Sequence, residues 1–245
     1  MQFQRAVYLI LMLLALAVFL ALRYWQPNRE AMSGRLSVQQ QWTLTLAAFI
    51  GGALGAKLPF VLGQSWAWWS GTLWLSDGKT ITTGLAGAYL AVEVVKFVLD
   101  IRVKTGDGFA LPLAGALAIG RWGCFFNGCC YGVPTTLPWG VDFLADGLRH
   151  PTQAYESFFH LTMACILGWL IATQRLRYQK LKLYLICYCG YRFFSEWIRP
   201  EPTIIAGLTF YQCFSLVFGV ALGVQWWLDH RKLQSTVSLA VSTRP

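Results

Sequence analysis

Three charged residues in the C-terminal third of the chain have the spacing of a binding site. Arg192, Glu196 and Arg199 follow one another at steps of four and three, which places them on one face of a helix. Two arginines flanking one glutamate leave excess positive charge, and the planar guanidinium with its five donors suits a phosphate. Because the surrounding residues are apolar, the pattern predicts a lipid headgroup that carries a phosphate.

A second segment of this kind surrounds Arg121, which lies between Gly120 and Gly123. Glycines allow a close approach of backbone or ligand. The following run from Asn127 to Gly132, Asn-Gly-Cys-Cys-Tyr-Gly, breaks the helical pattern. Non-helical backbone between membrane helices must be buried in protein or line a cavity, so the run predicts a pocket wall beside Arg121. An ordinary interfacial loop is the alternative.

The composition indicates that these residues belong to a membrane protein. Of the 245 residues, 56% are hydrophobic and 13% are charged, against about 25% charged in ordinary soluble domains. The formal net charge of +9 is distributed in short clusters between apolar runs, which is typical of membrane orientation signals and argues against nucleic-acid binding. Most of the seven cysteines lie in apolar segments, so we expect no disulfide framework.

Seven apolar stretches approach the length of about 20 residues that a spanning helix needs. We therefore expect an all-α polytopic fold in a single membrane domain over residues 1–232, followed by a disordered tail over 233–245. The first stretch exceeds the apolar core of a signal peptide and has no small-residue cleavage site, so it should stay attached. The predicted spans are 6–24, 42–62, 81–101, 108–127, 155–173, 182–198 and 207–228.

The distribution of lysine and arginine predicts how these spans are oriented. The first, third and fifth connections and the C-terminal tail hold twelve such residues, whereas the N-terminus and the even connections hold four. The positive-inside rule then places the N-terminus outside and the C-terminus in the cytoplasm. The twelve are Arg23, Arg29, Arg35, Arg102, Lys104, Arg175, Arg177, Lys180, Lys182, Arg231, Lys232 and Arg244, and the four are Arg5, Lys79, Arg149 and Arg199. Connections 63–80 and 128–154, both with tryptophan or tyrosine, would face outward.

Several ionisable residues lie inside the predicted spans, where each costs about 2.5–3.5 kcal/mol and usually marks a function. Glu93 and Lys96, three residues apart, can instead neutralise one another as a structural pair. The others of this kind are Lys57, Arg121, Glu156, His160, Arg192 and Glu196.

Four sequence blocks, in order, resemble the prolipoprotein diacylglyceryl transferase family. Gly120-Arg-Trp-Gly-Cys-Phe-Phe-Asn-Gly-Cys-Cys-Tyr-Gly132 is similar to its Gly-Arg-x-Gly-Asn-Phe-x-Asn-Gly-Glu-x-x-Gly signature. His150-Pro-Thr-Gln-Ala-Tyr-Glu156 resembles its His-Pro-Ser/Thr-Gln-Leu-Tyr-Glu segment. Arg192-Phe-Phe-Ser-Glu-Trp-Ile-Arg-Pro200 resembles Arg-Phe-x-x-Glu-x-x-Arg-x-Pro, and Gly207-Leu-Thr-Phe-Tyr-Gln212, with Ser215 in register, resembles the closing Gly-x-x-x-x-Gln-x-x-Ser element.

The chain departs from the family pattern at three positions, as in a divergent branch. The histidine of the family's His-Gly-Gly-Leu motif is missing, because Thr82-Thr-Gly-Leu85 stands in its place. Cys129 replaces the glutamate of Asn-Gly-Glu, and Cys124 replaces the asparagine of Gly-Asn-Phe.

The resemblance implies an enzyme of lipoprotein biosynthesis in the bacterial inner membrane, with the N-terminus outside. In the family reaction a thiolate attacks the glycerol carbon next to the phosphate of phosphatidylglycerol, and no cofactor or metal is needed. The implied partners are phosphatidylglycerol, membrane lipids and a lipobox-containing prolipoprotein or another thiol acceptor. The implied phospholipid-binding residues are Arg121, Asn127, Gln153, Arg192 and Arg199, and the candidate catalytic residues are His150, Glu156 and Glu196.

Two other functions fit parts of the sequence. A transporter or channel also carries charged residues in its spans, and Glu93 with Lys96 would suit a proton relay. Such proteins often contain internal repeats, which this sequence does not show. A thiol-redox protein could use Cys129 and Cys130, while the spacing C-x4-C-C matches no strong zinc pattern.

Overall fold

The computed structural model describes residues 2–26, 36–63, 80–143 and 147–242. Two compact units are present, one formed by Met1–Gln26 with Thr105–Pro245 and the other by Pro27–Lys104. Whether these two units form the single membrane domain predicted over 1–232 stays a prediction. Connection 63–80, including Trp66, Trp68, Trp69 and Trp74, lies almost entirely outside the described residues.

Within the described residues the chain forms seven α-helices, and each overlaps one predicted span. They are α1 (Gln2–Tyr24), α2 (Val38–Gly63), α3 (Ile81–Val98), α4 (Asp107–Phe126), α5 (Thr152–Ala172), α6 (Lys180–Ser195) and α7 (Phe210–Ser242). A 3₁₀ turn, Glu196–Ile198, extends α6 to the end of its predicted span. Helix α7 continues to Ser242, whereas residues 233–245 were expected to form a disordered tail.

Five of these helices, α1, α3, α4, α5 and α7, are long and apolar enough to cross a membrane. Helix α6 is shorter, with 16 residues, and α2 contains Lys57 and Pro59. The mostly helical fold agrees with the predicted all-α class. The count of seven spans and their orientation stay predictions.

Two short antiparallel hairpins interrupt the helical pattern in the connections. In the first, β1 (Val141–Asp142) pairs with β2 (Leu148–Arg149), and in the second, β3 (Thr203–Ile205) pairs with β4 (Leu208–Thr209). The first hairpin precedes α5, and the second precedes α7.

Helices α1, α4, α5, α6 and α7 make up the larger unit, and its interior is unusually polar. Helix α1 packs on α4, where Gly123 leaves room for Met12 and Tyr8. Large apolar side chains such as Leu13, Phe158 and Val217 are exposed, while charged and hydrogen-bonding side chains are buried. This reversal suits a bundle whose outer surface meets lipid and whose polar groups face the bundle interior.

In the smaller unit, α2 and α3 pack through glycines. A methyl group added at Gly51 or Gly55 of α2 would collide with the α3 backbone, and one at Gly87 would collide with the α2 backbone. The Gly-x-x-x-Gly spacing of 51 and 55 is the small-residue pattern that lets membrane helices approach closely. Lys96 and Glu93 of α3 form an ion pair at 3.0 Å.

Candidate functional site

Charged residues from three separate segments meet at Glu156 in the larger unit. The Arg121 guanidinium on α4 donates to Glu156 Oε2, and Arg199, just after the 3₁₀ turn, donates to the same oxygen at 2.9 Å. The Tyr188 hydroxyl on α6 donates to the other oxygen, Oε1, at 2.6 Å. One buried carboxylate therefore joins two arginines and a tyrosine.

The spacing of polar residues along α5 and α6 explains this meeting. Tyr184, Tyr188, Arg192 and Glu196 follow at steps of four, which places them on one face of α6 and the turn that continues it. On α5, Gln153, Glu156, Ser157 and His160 follow at steps of three, one and three and are also buried. Two polar stripes therefore face each other, and they form the hydrogen bonds that lipid cannot offer to these side chains.

A second ion pair lies beside the first cluster. Arg192 donates to Glu196 at 2.6 Å, and the Arg192 guanidinium lies 5.7 Å from the centre of the Tyr211 ring. The spacing places Arg199 on the same helical face as Arg192 and Glu196, but Arg199 bonds to Glu156 instead of Glu196. The reason is that the chain leaves the helix at Glu196, so Arg199 departs from the face that the spacing of three predicts.

The whole arrangement, the arginine cluster, consists of Arg121, Glu156, Arg192, Glu196 and Arg199. Three positive charges against two negative ones leave it with one excess positive charge. Within the described residues, the buried Nε groups of all three arginines have no hydrogen-bond partner. A guanidinium can donate through Nε and one Nη to two oxygens of an anion at once. The cluster can therefore donate to an anion such as a phosphate.

Two more groups extend this network: His160, which lies inside a predicted span, and Tyr184, which no sequence pattern singled out. His160 is fully buried, and its Nε2 lies 3.8 Å from Glu156 Oε1. Its Nδ1 pairs with the Tyr184 hydroxyl at 2.9 Å. The signal that would have found them is the step of four from Glu156 to His160 and from Tyr184 to Tyr188.

Three cysteines next to Arg121 form a second feature, the cysteine cluster of Cys124, Cys129 and Cys130. Helix α4 ends in a Schellman motif, in which Gly128 at φ +66° donates to Phe125 O and the Cys129 N–H donates to Cys124 O, both at 3.1 Å. That motif folds the residue after the glycine back onto the last helical turn. Cys129 thereby lies beside Cys124, five positions earlier.

The loop that carries the cysteines is fixed by the start of α5. Gln153 Nε2 donates to Cys129 O at 2.5 Å, and the Thr152 hydroxyl donates to Cys130 O at 2.6 Å. Gln153, expected to orient the lipid headgroup, therefore also holds this loop. Hydrogen bonds from the thiols of Cys124 and Cys129 lower the pKa of the Cys130 thiol.

The remaining predicted site residues lie at the edge of this region. His150 Nδ1 is 3.3 Å from the Tyr155 hydroxyl, which also accepts from Trp139 at 2.8 Å. Asn127 caps the end of α4 and is exposed. Neither His150 nor Asn127 has a described hydrogen bond to the arginine cluster.

Gln212, from the last sequence block, supports the cluster from α7. Its side-chain amide oxygen accepts from the Thr209 backbone N–H at 2.9 Å, and its backbone N–H donates to the Thr209 hydroxyl at 3.2 Å. This reciprocal pair is a capping box at the start of α7. Gln212 Nε2 also donates to Phe193 O at 3.2 Å, which ties α7 to the residue after Arg192.

Comparison with known proteins agrees with the sequence blocks. A family model described as prolipoprotein diacylglyceryl transferase matches residues 1–228. The phosphatidylglycerol–prolipoprotein diacylglyceryl transferase of Thermosynechococcus vestitus is 30% identical over 237 residues, covering 89% of this chain and 85% of that protein. The protein of that name from Clostridioides difficile is 30% identical, with 78% and 79% covered, and that from Coxiella burnetii is 31% identical, with 76% and 75% covered.

The family match begins at the first residue and ends within α7, so it includes every segment that contributes to the arginine cluster. The resemblance inferred from the four sequence blocks is thereby confirmed. This chain belongs to the prolipoprotein diacylglyceryl transferase family.

Proposed function

We propose that this chain transfers the diacylglyceryl group of phosphatidylglycerol to the cysteine thiol of a prolipoprotein. Relatives that share about 30% of its sequence over most of its length are named for this reaction. The observation that carries the proposal is the buried arginine cluster, with one excess positive charge and three Nε donors that the described residues leave without a partner. Such a cluster suits the phosphate of a lipid headgroup.

In this proposal the arginines act on the leaving group. The acceptor thiolate attacks the glycerol carbon that carries the phosphate, a carbon–sulfur bond forms, and glycerol phosphate departs with the electrons of the carbon–oxygen bond. Arg121, Arg192 and Arg199 stabilise the negative charge that develops on the phosphate, an effect for which one lost donor commonly costs about a hundredfold in rate.

Two residues are candidates for the base that takes the proton of the acceptor thiol. Glu156 already accepts from Arg121, Arg199 and Tyr188, so we assign it to positioning these side chains. Glu196 has one buried oxygen without a partner among the described residues, and His150 lies at the loop edge of the site. In the proposal Asn127 and Gln153 orient the headgroup.

The proposed setting is a bacterial inner membrane that the chain spans seven times. The twelve-to-four distribution of lysine and arginine supports an outer N-terminus and a cytoplasmic C-terminus. Connection 128–154, which carries Cys129 and Cys130, then lies near the outer surface. A cysteine introduced at Thr136 should react with an impermeant reagent on intact cells, and one at Gln174 should not, in a background that lacks the exposed Cys130. The reverse pattern would invert the topology.

The function is tested with purified protein, phosphatidylglycerol and a lipobox peptide. Mass spectrometry should detect the peptide with a diacylglyceryl group on its cysteine, together with one glycerol phosphate per modified peptide. A peptide with serine in place of that cysteine is the control and should stay unmodified. Glycerol phosphate released without peptide modification would contradict the prolipoprotein acceptor, and no release at all would contradict transfer from phosphatidylglycerol.

A further inference from the structure

Three sulfur atoms converge at the end of α4. The Sγ atoms of Cys124, Cys129 and Cys130 all lie within 4.8 Å of one another, and those of Cys129 and Cys130 are 3.7 Å apart. All three cysteines are free thiols. The proposed transfer reaction assigns none of them a role.

The backbone holds these thiols in place before any ligand arrives. The Schellman motif brings Cys129 to Cys124, and Thr152 and Gln153 of α5 bond the carbonyl groups of Cys130 and Cys129. Cys130 has a φ of +64°, a conformation that an ordinary residue rarely adopts. These contacts hold the backbone of Cys129 and Cys130.

The distance between the Cys129 and Cys130 sulfur atoms matches a metal site better than a disulfide between these two neighbours. A tetrahedral ion with zinc–sulfur bonds of about 2.3 Å separates its sulfur ligands by about 3.8 Å, close to the 3.7 Å between Cys129 and Cys130. Adjacent residues have Cα atoms about 3.8 Å apart, which is below the range of about 4.4–6.8 Å that disulfides occupy. A bond between Cys129 and Cys130 would therefore be strained.

The charge around the cluster also suits a metal ion. Three thiolates with a divalent cation carry one net negative charge, and Arg121 Nη1 lies 3.9 Å from Cys124 Sγ. A neighbouring cation of this kind compensates the charge of a thiolate-rich site. The exposed side chain of Cys130 gives an ion a path from solvent.

We propose that Cys124, Cys129 and Cys130 form a three-thiolate site for a thiophilic d10 cation, Zn²⁺ or Cu⁺. Soft thiolate ligands select these ions over hard cations such as Mg²⁺ or Ca²⁺. Three protein ligands leave one coordination position of a tetrahedral ion for water or an external thiol. The sequence led us to expect no metal, because the spacing C-x4-C-C matches no zinc motif. The cysteines come together only because the Schellman motif folds Cys129 back onto Cys124.

The experiment uses the full-length protein in detergent, reduced and stripped of metal with a chelator. Titrated Zn²⁺ should bind at one equivalent per chain by elemental analysis, and Co²⁺ as a probe should give sulfur-to-cobalt charge-transfer absorption. Competition with a Cu⁺ chelator measures Cu⁺ affinity and decides between the two ions. C124S, C129S and C130S should each weaken binding by about a hundredfold or more, whereas C165S, which changes an exposed thiol on α5, should not.

Thermal unfolding of each variant separates misfolding from lost ligands, and C130S changes an exposed residue. Less than stoichiometric binding in the wild type, or binding that C129S leaves intact, would overturn the proposal. The proposal would also be overturned if protein from native membranes contained a disulfide among these cysteines and the reduced protein did not bind metal. The readouts do not depend on turnover, so transferase activity can fail or succeed separately.

Discussion

Helices in this chain are held together in two opposite ways. In the smaller unit, α2 and α3 approach so closely that a methyl group at Gly51, Gly55 or Gly87 would collide with the opposite backbone. In the larger unit, α4, α5 and the end of α6 are joined by buried charges around Glu156. The contact between α2 and α3 leaves no room for a side chain at these glycines. The contact around Glu156 is made by polar and charged side chains, which are unfavourable in lipid without a partner.

We interpret the first contact as packing and propose that the second serves the chemistry. Lipid tails are as apolar as leucine, so close backbone packing is an inexpensive way to associate membrane helices. Buried charges cost free energy, and a packed apolar core of similar volume is often as stable. A purely structural role in holding the helices together therefore explains poorly why the cluster has one excess positive charge, whereas an anionic ligand would neutralise that charge.

The largest expected effect is that of E156Q, because this carboxylate accepts from Arg121, Arg199 and Tyr188. Unpairing buried charges costs about 3–5 kcal/mol, so both thermal stability in detergent and turnover per folded molecule should fall. E196Q, which affects the single partner Arg192, is the matched variant and should be milder. Equal losses in the two variants would contradict the central position of Glu156.

Next in size are R121K and R199K, which keep the charge but lose the planar pair of donors. Turnover should fall by about a hundredfold, with a smaller change in unfolding temperature. R102K is the control, because Arg102 is an exposed arginine paired with Asp100 at 3.1 Å. Near-normal turnover in R121K and R199K would exclude a bidentate phosphate contact and remove the main support for the proposed transferase.

An intermediate effect is expected where the helices pack through glycine. G87A must force α2 and α3 apart, since the new methyl group would meet backbone atoms of Gly51 and Gly55. Overpacking of this kind costs about 1–3 kcal/mol. The control G168A has open space on α5 and should stabilise by about 0.5–1 kcal/mol. Thermal unfolding compares the two, and a loss of turnover per folded G87A molecule would assign this contact a role in chemistry.

A smaller effect of about 1 kcal/mol is expected from Q212A, which removes the bond from the Thr209 N–H and the bond to Phe193 O but keeps the backbone bond to the Thr209 hydroxyl. Q212E keeps the acceptor for the Thr209 N–H, but it places a buried carboxylate against Phe193 O, so that two oxygens face each other. Unfolding temperature should therefore fall in the order wild type, Q212A, Q212E. If Q212E matched the wild type, the bond to Phe193 would contribute nothing to stability.

Much of this structure follows from the sequence, but the partners within the site do not. Apolar length predicts α4 over 108–127, against the observed Asp107–Phe126, and a spacing of four predicts the pairing of Arg192 with Glu196. These are properties of one helix. The bond from Arg199 to Glu156 joins residues 43 positions apart and depends on where the helix ends, which a periodic pattern does not contain.

The cysteine cluster illustrates a signal that was present in the sequence but needed structural context. Glycine after Cys124-Phe-Phe-Asn is the residue that a Schellman motif requires, and the motif then predicts contact between positions 124 and 129. Spacing templates for metal sites describe hairpins and helices, so they overlook ligands brought together by a helix end. Gly128, with its positive φ, is therefore the residue that allows Cys129 to approach Cys124.

The smallest effect should come from E93Q, which tests the other ion pair in a helix. Glu93 and Lys96 are three residues apart on α3, and such pairs contribute about 0.2–0.5 kcal/mol. Lys96 lies in the last turn of α3, where its charge is favourable to the helix dipole and its long side chain can extend to the membrane surface without the glutamate. E93Q should therefore unfold almost like the wild type and keep its turnover, whereas E156Q should lose both.

The paired measurement also decides whether the chemistry extends to Glu93 on α3. A proton relay would need Glu93 to exchange protons, so E93Q would abolish function while the fold stayed intact. D100N, which affects the exposed pair with Arg102, controls for a general loss of negative charge near the end of α3. Full activity in E93Q and D100N, together with inactive E156Q, would confine the chemistry to the arginine cluster. An inactive but folded E93Q would extend it to α3.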